Sequence, residues 1–417
     1  MKVVYLLNSL GISGGPVVLY NFAENLVKRG YEVYFVTPDT YLKWDIGTKE
    51  KILNREKRRN NKQVLFDYVK TTLKSFGLKK IKDKLTSSDF WFQNIFLPKY
   101  VKEMVNNFNK YVTRCDILIC THWTTAFPGY FLSEKCKKIF YHMQHYEEVF
   151  SPQSELKRKY TRITYFLPFN LISNSSWLKN IIKKICDRDS YLLCPGIDIN
   201  MFAPYEDINT KYIKKNKFKI SSFVDATREF KGSSDLFQVM KILNEKLDEE
   251  KIFFNVFGFG LPSFFKSIKN IEFKGIVPYY KLPQFYSESD LFIWSSWYES
   301  FPLPPIESMA CGTAVVTTKF GTEDYAIDNF NSYVVLPRNP LKLAEKIMFA
   351  LENIDKTKEM VMNALNTVKK FSWERQTDKL ERYLQEAPAP TISSRLQWLV
   401  ENLIKGENIE EIDKMIG

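Results

Sequence analysis

The chain has 417 residues, with 60 lysines and arginines against 48 aspartates and glutamates, a formal net charge of +12. Single hydrophobic cores stop growing near ~250 to 300 residues, so this length predicts two cores. Apolar residues at 45 % and charged residues at 26 % are ordinary globular usage, which excludes wholesale disorder and collagen-like or low-complexity chains.

The opening MKVVYLLNSL carries one lysine and a short apolar run that Asn8 and Ser9 interrupt. That is too short for a signal-peptide core of ~7 to 15 residues and reads as a buried first strand. No stretch approaches the ~20 apolar residues of a bilayer span. Cys115, Cys120, Cys136, Cys186, Cys194 and Cys311 are scattered without C-x-x-C pairs, unlike a disulfide framework or a zinc site. The expectation is a cytoplasmic, reducing compartment.

In chain order, KVVYLLN, YEVYFVT, DILIC, KIFYH, LISNS and YLLC alternate with helical patterns, and a second series follows with KFKISSFV, KIFFNVFG, IEFKG, DLFIW, TAVVTT and SYVVL. This alternation predicts parallel α/β units whose strands are buried on both faces. CPGIDINMFAPYED, punctuated by Pro195, Gly196 and Pro204, separates the series, which places one domain at 1–197 and a second at 198–370. Helical pattern runs on to Leu384, and APAP at 387–390 precedes a tail, 391–417, in which Leu396, Leu399, Val400, Leu403 and Ile404 share one helix face. That stripe predicts docking on the protein's own surface or on a second subunit.

Charge is unevenly placed: residues 41–110 hold 17 basic against 7 acidic residues. The stretch is interleaved with Phe66, Tyr68, Phe76, Phe90, Trp91, Phe92, Phe96 and Tyr100. Basic charge with exposed aromatics suits an anionic membrane surface, whereas a solvated basic face with aromatics packed inward is the alternative. No helix-turn-helix, zinc-finger or RNP-type pattern supports nucleic-acid binding.

Two constellations carry chemistry. In NSLGISGGPVVLYNFAENLVKRG a strand is followed by Gly11, Gly14 and Gly15, with Pro16 suited to a first helical position. Free N–H groups at such a helix start attract anionic oxygens, and a plain tight turn is the alternative. In WYESFPLPPIESMACGTAVVTTKFGTEDY, Glu299 and Glu307 lie seven residues apart, the first in a loop and the second in a short helix, while Gly321, Thr322 and Glu323 form a turn at a strand's carboxyl end. Ligands sit at that end of open α/β sheets.

This second stretch resembles the E-x7-E region of the retaining, nucleotide-sugar-dependent glycosyltransferases of family 4, and the resemblance extends to about residue 385. It implies a GT-B fold, two Rossmann-like domains facing each other across a cleft, with helix 371–386 returning to the first. The second domain would bind a UDP-, GDP- or dTDP-sugar and the first would present a glycan or lipid-linked acceptor. The resemblance further implies transfer with retention and no obligatory metal or cofactor. Gly14 and Gly15 match the family's opening, and FVDATREFKG its phosphate-binding loop. Arg228 and Lys231 would grip the diphosphate, although the family usually places arginine further before lysine; a solvated surface is the reading without that context. Glu307 would bind ribose hydroxyls, Glu299 would lie near the donor sugar, and Phe301, Leu303, Gly321 and Thr322 would complete the donor site. Where the family commonly has glycine after E-S-F, this chain has Pro302. His122 matches a position where a histidine meets the donor sugar, and YHMQHYEEVF is reminiscent of a Q-x-x-E stretch in some rhamnosyl-transferring members. Asp187 and Asp189 spell D-x-D, a metal motif of another fold, but lie in a turn between a helix and a strand and read as solvated. A non-catalytic GT-B subunit scaffolding a partner enzyme is the rival reading.

Overall fold

The computed structural model describes residues 1–8, 10, 14–38, 40–46, 48, 97–150, 155–213, 217–247, 249–389, 398 and 401–402. Most of the basic 41–110 stretch and of the 391–417 tail lies outside the described residues, and with it the membrane and subunit contacts expected there. The chain divides into two compact units, the first comprising 1–173, 182–191 and 377–417 and the second 174–181 and 192–376.

In the first unit, β1 (Lys2–Leu6), β2 (Glu32–Thr37), β3 (Thr40–Trp44), β4 (Cys115–Cys120), β5 (Cys136–Met143), β6 (Asn170–Ser173) and β7 (Tyr191–Leu192) form one sheet in the order β3-β2-β1-β4-β5-β6-β7. β1 pairs in parallel with β2 and with β4, and β4 in turn with β5. Val3, Val4, Tyr5 and Leu6 are all buried, as expected of a parallel strand covered on both faces. The basic stretch does not begin as a loop: its first residues form β3, antiparallel to β2 with Val33 opposite Trp44. Helix α1 (Gly14–Lys28) follows β1 and is closed by Gly30 at φ +84°, a left-handed terminator that glycine accepts without a Cβ clash.

In the second unit, β8 (Phe218–Asp225), β9 (Ile252–Phe259), β10 (Ile271–Phe273), β11 (Leu291–Trp294), β12 (Ala314–Thr318) and β13 (Tyr333–Val335) pair in parallel in the order β10-β9-β8-β11-β12-β13. Counted within the unit this is 3-2-1-4-5-6, the doubly wound Rossmann order. Alternation along the strands fills two cores. Ile220, Val224, Val256, Ile293 and Val316 pack with Leu236 and Met240 of the helix after β8. On the other face Phe257, Phe292, Trp294 and Val315 pack with Ile306 and Met309. Each such side chain contributes about 1.5–3 kcal/mol through burial.

Residues 377 onward belong to the first unit. Arg29 bridges Asp378 at 2.7 Å and Glu381 at 2.8 Å, and Tyr383 stacks on Tyr191 with ring centres 4.1 Å apart. The helix Trp373–Glu386 thus serves the first sheet although it follows the second in sequence. In each sheet the winding reverses between two neighbouring strands, β1 and β4 in the first and β8 and β11 in the second, and the carboxyl ends of those strands are where such folds hold ligands.

Candidate functional site

At the second reversal point β8 ends in Asp225, whose side chain is almost wholly buried. Its Oδ1 accepts hydrogen bonds from the Thr227 amide at 2.8 Å and hydroxyl at 2.6 Å, and its Oδ2 accepts from Arg228 Nε at 2.6 Å, with Arg228 Nη2 also 2.6 Å away. Burial works to raise the Asp225 pKa, but the bonds from Thr227 and Arg228 outweigh it and hold the carboxyl below the usual range. Asp225 therefore stays charged and fixes the Arg228 guanidinium, which is 44 % exposed. The loop then makes one 3-10 turn, Glu229–Lys231, ended by Gly232 at φ +69°. A Cβ there would lie 1.9 Å from the Ser295 carbonyl oxygen. Glycine is required because this loop rests directly on the segment leaving β11.

Lys231 Nζ reaches Glu299 Oε1 across the reversal point, and the two side chains are only 11 % and 14 % exposed. The ammonium also lies 5.3 Å from the Trp294 ring centre, with Phe230 and Phe223 close by. The 299 loop is pressed by the next turn: Gly321 has φ +93°, and a Cβ on it would come 2.2 Å from the Glu299 carbonyl oxygen. Thr322 is buried and its hydroxyl donates to Thr318 O at 2.8 Å. It shapes that turn.

Glu307 lies on the helix Leu303–Ala310, 3 % exposed, where its Oε2 accepts from Tyr286 Oη at 3.2 Å. Burial pushes its pKa up to about 8, partly offset by that bond. Near neutral pH it carries a proton and can donate as well as accept. The start of this helix is a poor anion site, because Pro302, Pro304 and Pro305 lack N–H groups and only Leu303 and Ile306 can donate there. Positive charge in this region comes from Arg228 and Lys231. Phe301 is packed against Tyr325 and Phe371, with ring centres 5.0 and 5.9 Å away. Its side chain is core, and Leu303 is a partly buried neighbour of the same cluster.

In the first unit the reversal point brings Asn8 to His122. Asn8 Nδ2 lies 2.8 Å from His122 Nδ1, and the Thr124 amide donates to Nδ1 at 3.3 Å. Thr124 Oγ1 also lies 2.8 Å from Nδ1; the backbone N–H can only donate, which favours Nδ1 as the acceptor and places the proton of the neutral ring on Nε2. Burial, with a smaller effect of His145, lowers the His122 pKa to about 3. His122 is thus a hydrogen-bond donor at Nε2 and not a base. It caps the helix α2 (Trp123–Phe131), with the Thr125 hydroxyl accepting from the His122 amide at 3.1 Å. Gly14 opens α1 and is exposed, with no atom within 4 Å of a Cβ placed on it; at Gly15 a Cβ would meet Gln144 at an ordinary 3.5 Å. Neither glycine is forced by the backbone.

Asp187 and Asp189 do not join either group. Asp187 pairs with Lys183 at 2.9 Å and is 94 % exposed, and between them Arg188 donates to the Tyr165 and Phe169 carbonyls at 2.8 and 2.6 Å. The segment is a structural clasp. In the second unit Lys231, Glu299 and Gly321 come together, Arg228 is held by Asp225 in the same loop as Lys231, and Glu307 is set apart beside Tyr286; His122, Gly14 and Gly15 lie in the first unit. Asp225, Asn8 and Thr124 escaped sequence reasoning. An aspartate ending a buried strand just before the basic loop was the available signal for Asp225.

Residues 205–367 match the family described as glycosyl transferases group 1. An uncharacterised glycosyltransferase of Methanocaldococcus jannaschii is 27 % identical over 274 residues, covering 60 % of this chain and 68 % of that protein. Mannosylfructose-phosphate synthase of Agrobacterium fabrum is 24 % identical over 269 residues, covering 54 % and 59 %. Among solved structures, Anabaena HepE in complex with UDP-glucose aligns with a TM-score of 0.65 at 17 % identity, over 92 % of this chain and 99 % of that one. TarM aligns with a TM-score of 0.67 at 14 % identity, over 92 % and 99 %. These likenesses show the fold: two Rossmann-like sheets of the GT-B class.

Proposed function

We propose, for a chain that carries a glycosyltransferase group 1 domain over residues 205–367, that it transfers a sugar from a nucleoside diphosphate to a glycan or lipid-linked acceptor, with retention and without a metal. The observation that carries this reading is the meeting of Lys231 and Glu299 at the second reversal point, beside Arg228. A departing diphosphate gains negative charge in the transition state, and fixed cations stabilise it most where water is excluded. Lys231 and Arg228 supply that charge, and Arg228 is already oriented by Asp225. Donor binding replaces the Lys231 to Glu299 pair with two separate interactions, phosphate to Lys231 and sugar hydroxyls to Glu299. Glu307 takes the ribose hydroxyls. In this reading the charges of Lys231 and Arg228 neutralise the diphosphate in place of a metal.

Substitution proceeds on one face: the diphosphate leaves, an acceptor hydroxyl attacks from the same side, and a leaving phosphate oxygen takes its proton. His122 is assigned a hydrogen bond from Nε2–H to the donor sugar. Names of related proteins support the donor class, since the Anabaena structure holds UDP-glucose. The rival, a non-catalytic subunit of the same fold, gives no reason for Lys231 and Glu299 to be paired at the reversal point. A panel of UDP-, GDP- and dTDP-sugars separates the two. Thermal stabilisation by one of them with slow hydrolysis in excess chelator supports the proposal; no stabilisation and no hydrolysis by any of them supports the rival.

A further inference from the structure

Glu147 is fully buried, although it opens the short helix Glu147–Phe150 just after β5. Its Oε2 accepts the Trp123 amide at 2.7 Å and also the Tyr141 hydroxyl. Trp123 is the first residue of α2, so its amide is one of the four that a helix leaves unpaired. The Thr124 amide, one peptide further on, donates to His122 Nδ1 at 3.3 Å. Glu147 Oε1 is buried and has no hydrogen-bond partner. A buried carboxyl with an idle oxygen is costly to keep, and a core position of this kind is filled more stably by an apolar side chain. The carboxyl is retained for its other oxygen.

We propose that Glu147 is a positioning residue for His122: by holding the Trp123 amide it fixes the first turn of α2, and through the Thr124 amide it keeps the His122 proton on Nε2. Asn8 supports the same ring from the loop after β1, with the Thr124 hydroxyl donating to Asn8 Oδ1. His145, two residues before Glu147, closes the other side with its ring centre 6.2 Å from that of His122. Burial raises the Glu147 pKa to about 8, partly offset by the bonds from Tyr141 and Trp123, so near neutral pH the side chain is a neutral acid that glutamine imitates. The proton falls on the idle Oε1.

The chain has three histidines, which makes the tautomer directly readable. In the full-length protein labelled with ¹⁵N-histidine, long-range nitrogen–proton spectra should show His122, assigned by its loss in His122→Ala, as a single Nε2–H tautomer in wild type and in Glu147→Gln. In Glu147→Leu, which fills the space but accepts nothing, both tautomers should appear. An unchanged His122 signal in Glu147→Leu overturns the proposal. If that variant does not fold, Glu147→Asp, whose carboxyl is one methylene too short to reach, takes its place.

The kinetic arm rests on the proposed function, whereas the spectra do not. With the best donor, Glu147→Leu should lower kcat about tenfold with donor KM unchanged, Glu147→Gln should stay within about threefold of wild type, and adding Glu147→Leu to His122→Ala should cost less than about twofold more. Full additivity of the two losses contradicts action through His122. If wild type turns over no donor, the proposed function fails, and the spectra alone decide the role of Glu147.

Discussion

Asp225 holds Arg228 by Nε, at 2.6 Å, at the end of the strand where the second sheet reverses. A long, half-exposed side chain is thereby oriented before any ligand arrives. Much of the rotamer entropy that binding would cost is already lost. Asp225→Asn should weaken binding of free nucleoside diphosphate by roughly tenfold, about 1.4 kcal/mol, while Arg228→Ala should weaken it at least as much. Titration calorimetry measures both. If Asp225→Asn binds as wild type does, orientation by Asp225 has no role in affinity.

The pair Lys231 and Glu299 carries the chemistry of the account. Lys231→Ala and Glu299→Gln should each reduce transfer by roughly 10²- to 10³-fold in a protein that still folds but melts at a lower temperature, because the pair is largely buried. Each single substitution also strips a partly buried charge of its partner, so the double variant should lose less than the product of the two. Multiplying losses would show that the two residues do not act on one ligand.

The proton on Glu307 gives nucleotide binding a pH dependence. If its carboxylate accepts from ribose hydroxyls, affinity for a nucleoside diphosphate should rise between pH 7 and 9 as a group with pKa about 8 ionises. Glu307→Gln should flatten that rise. A wild-type affinity that falls over this interval would mean that Glu307 binds as the acid, and one independent of pH would mean that its ionisation is not linked to binding.

Much of this was legible beforehand and some of it was not, for identifiable reasons. The succession of strands and helices in two series and the placing of Glu299 in a loop and Glu307 in a helix follow from buried β-rich runs and from one long motif, which local pattern records well, whereas the order of strands within each sheet does not. Phe301 sits inside that motif, yet it belongs to the core because its ring fills the space against Tyr325 and Phe371, a tertiary fact with no local signal. The role of Asp225 depends on a loop folding back on its own strand end. The tautomer of His122 depends on Asn8, 114 residues away. β3 was hidden because the stretch it opens is dominated by charge.

Five buried titrating groups set the stability profile in pH. His122 and His142 are lowered to about 3 and His145 to about 4, from 6.5, by burial first. Below about pH 6.5 the unfolded chain gains protons that these folded rings refuse, so stability falls as pH falls. Glu147 and Glu307 are raised by burial from 4.5 to about 8. Between those values the folded state keeps protons that the unfolded state releases, so stability falls as pH rises. The histidines outweigh the two glutamates once each unfolded ring is about two-thirds protonated, which places the maximum near pH 6. Melting temperatures at about pH 5, 6 and 8 test this; a steady increase to pH 8 would contradict the buried placement of Glu147 and Glu307.

The most direct test of the whole account is donor hydrolysis by the full chain in excess chelator, comparing wild type with Lys231→Ala. Wild type should release nucleoside diphosphate from one of the UDP-, GDP- or dTDP-sugars, and the variant should release it at least roughly 10²-fold more slowly. Equal rates for the two proteins, or activity restored strictly by one divalent ion, would contradict it.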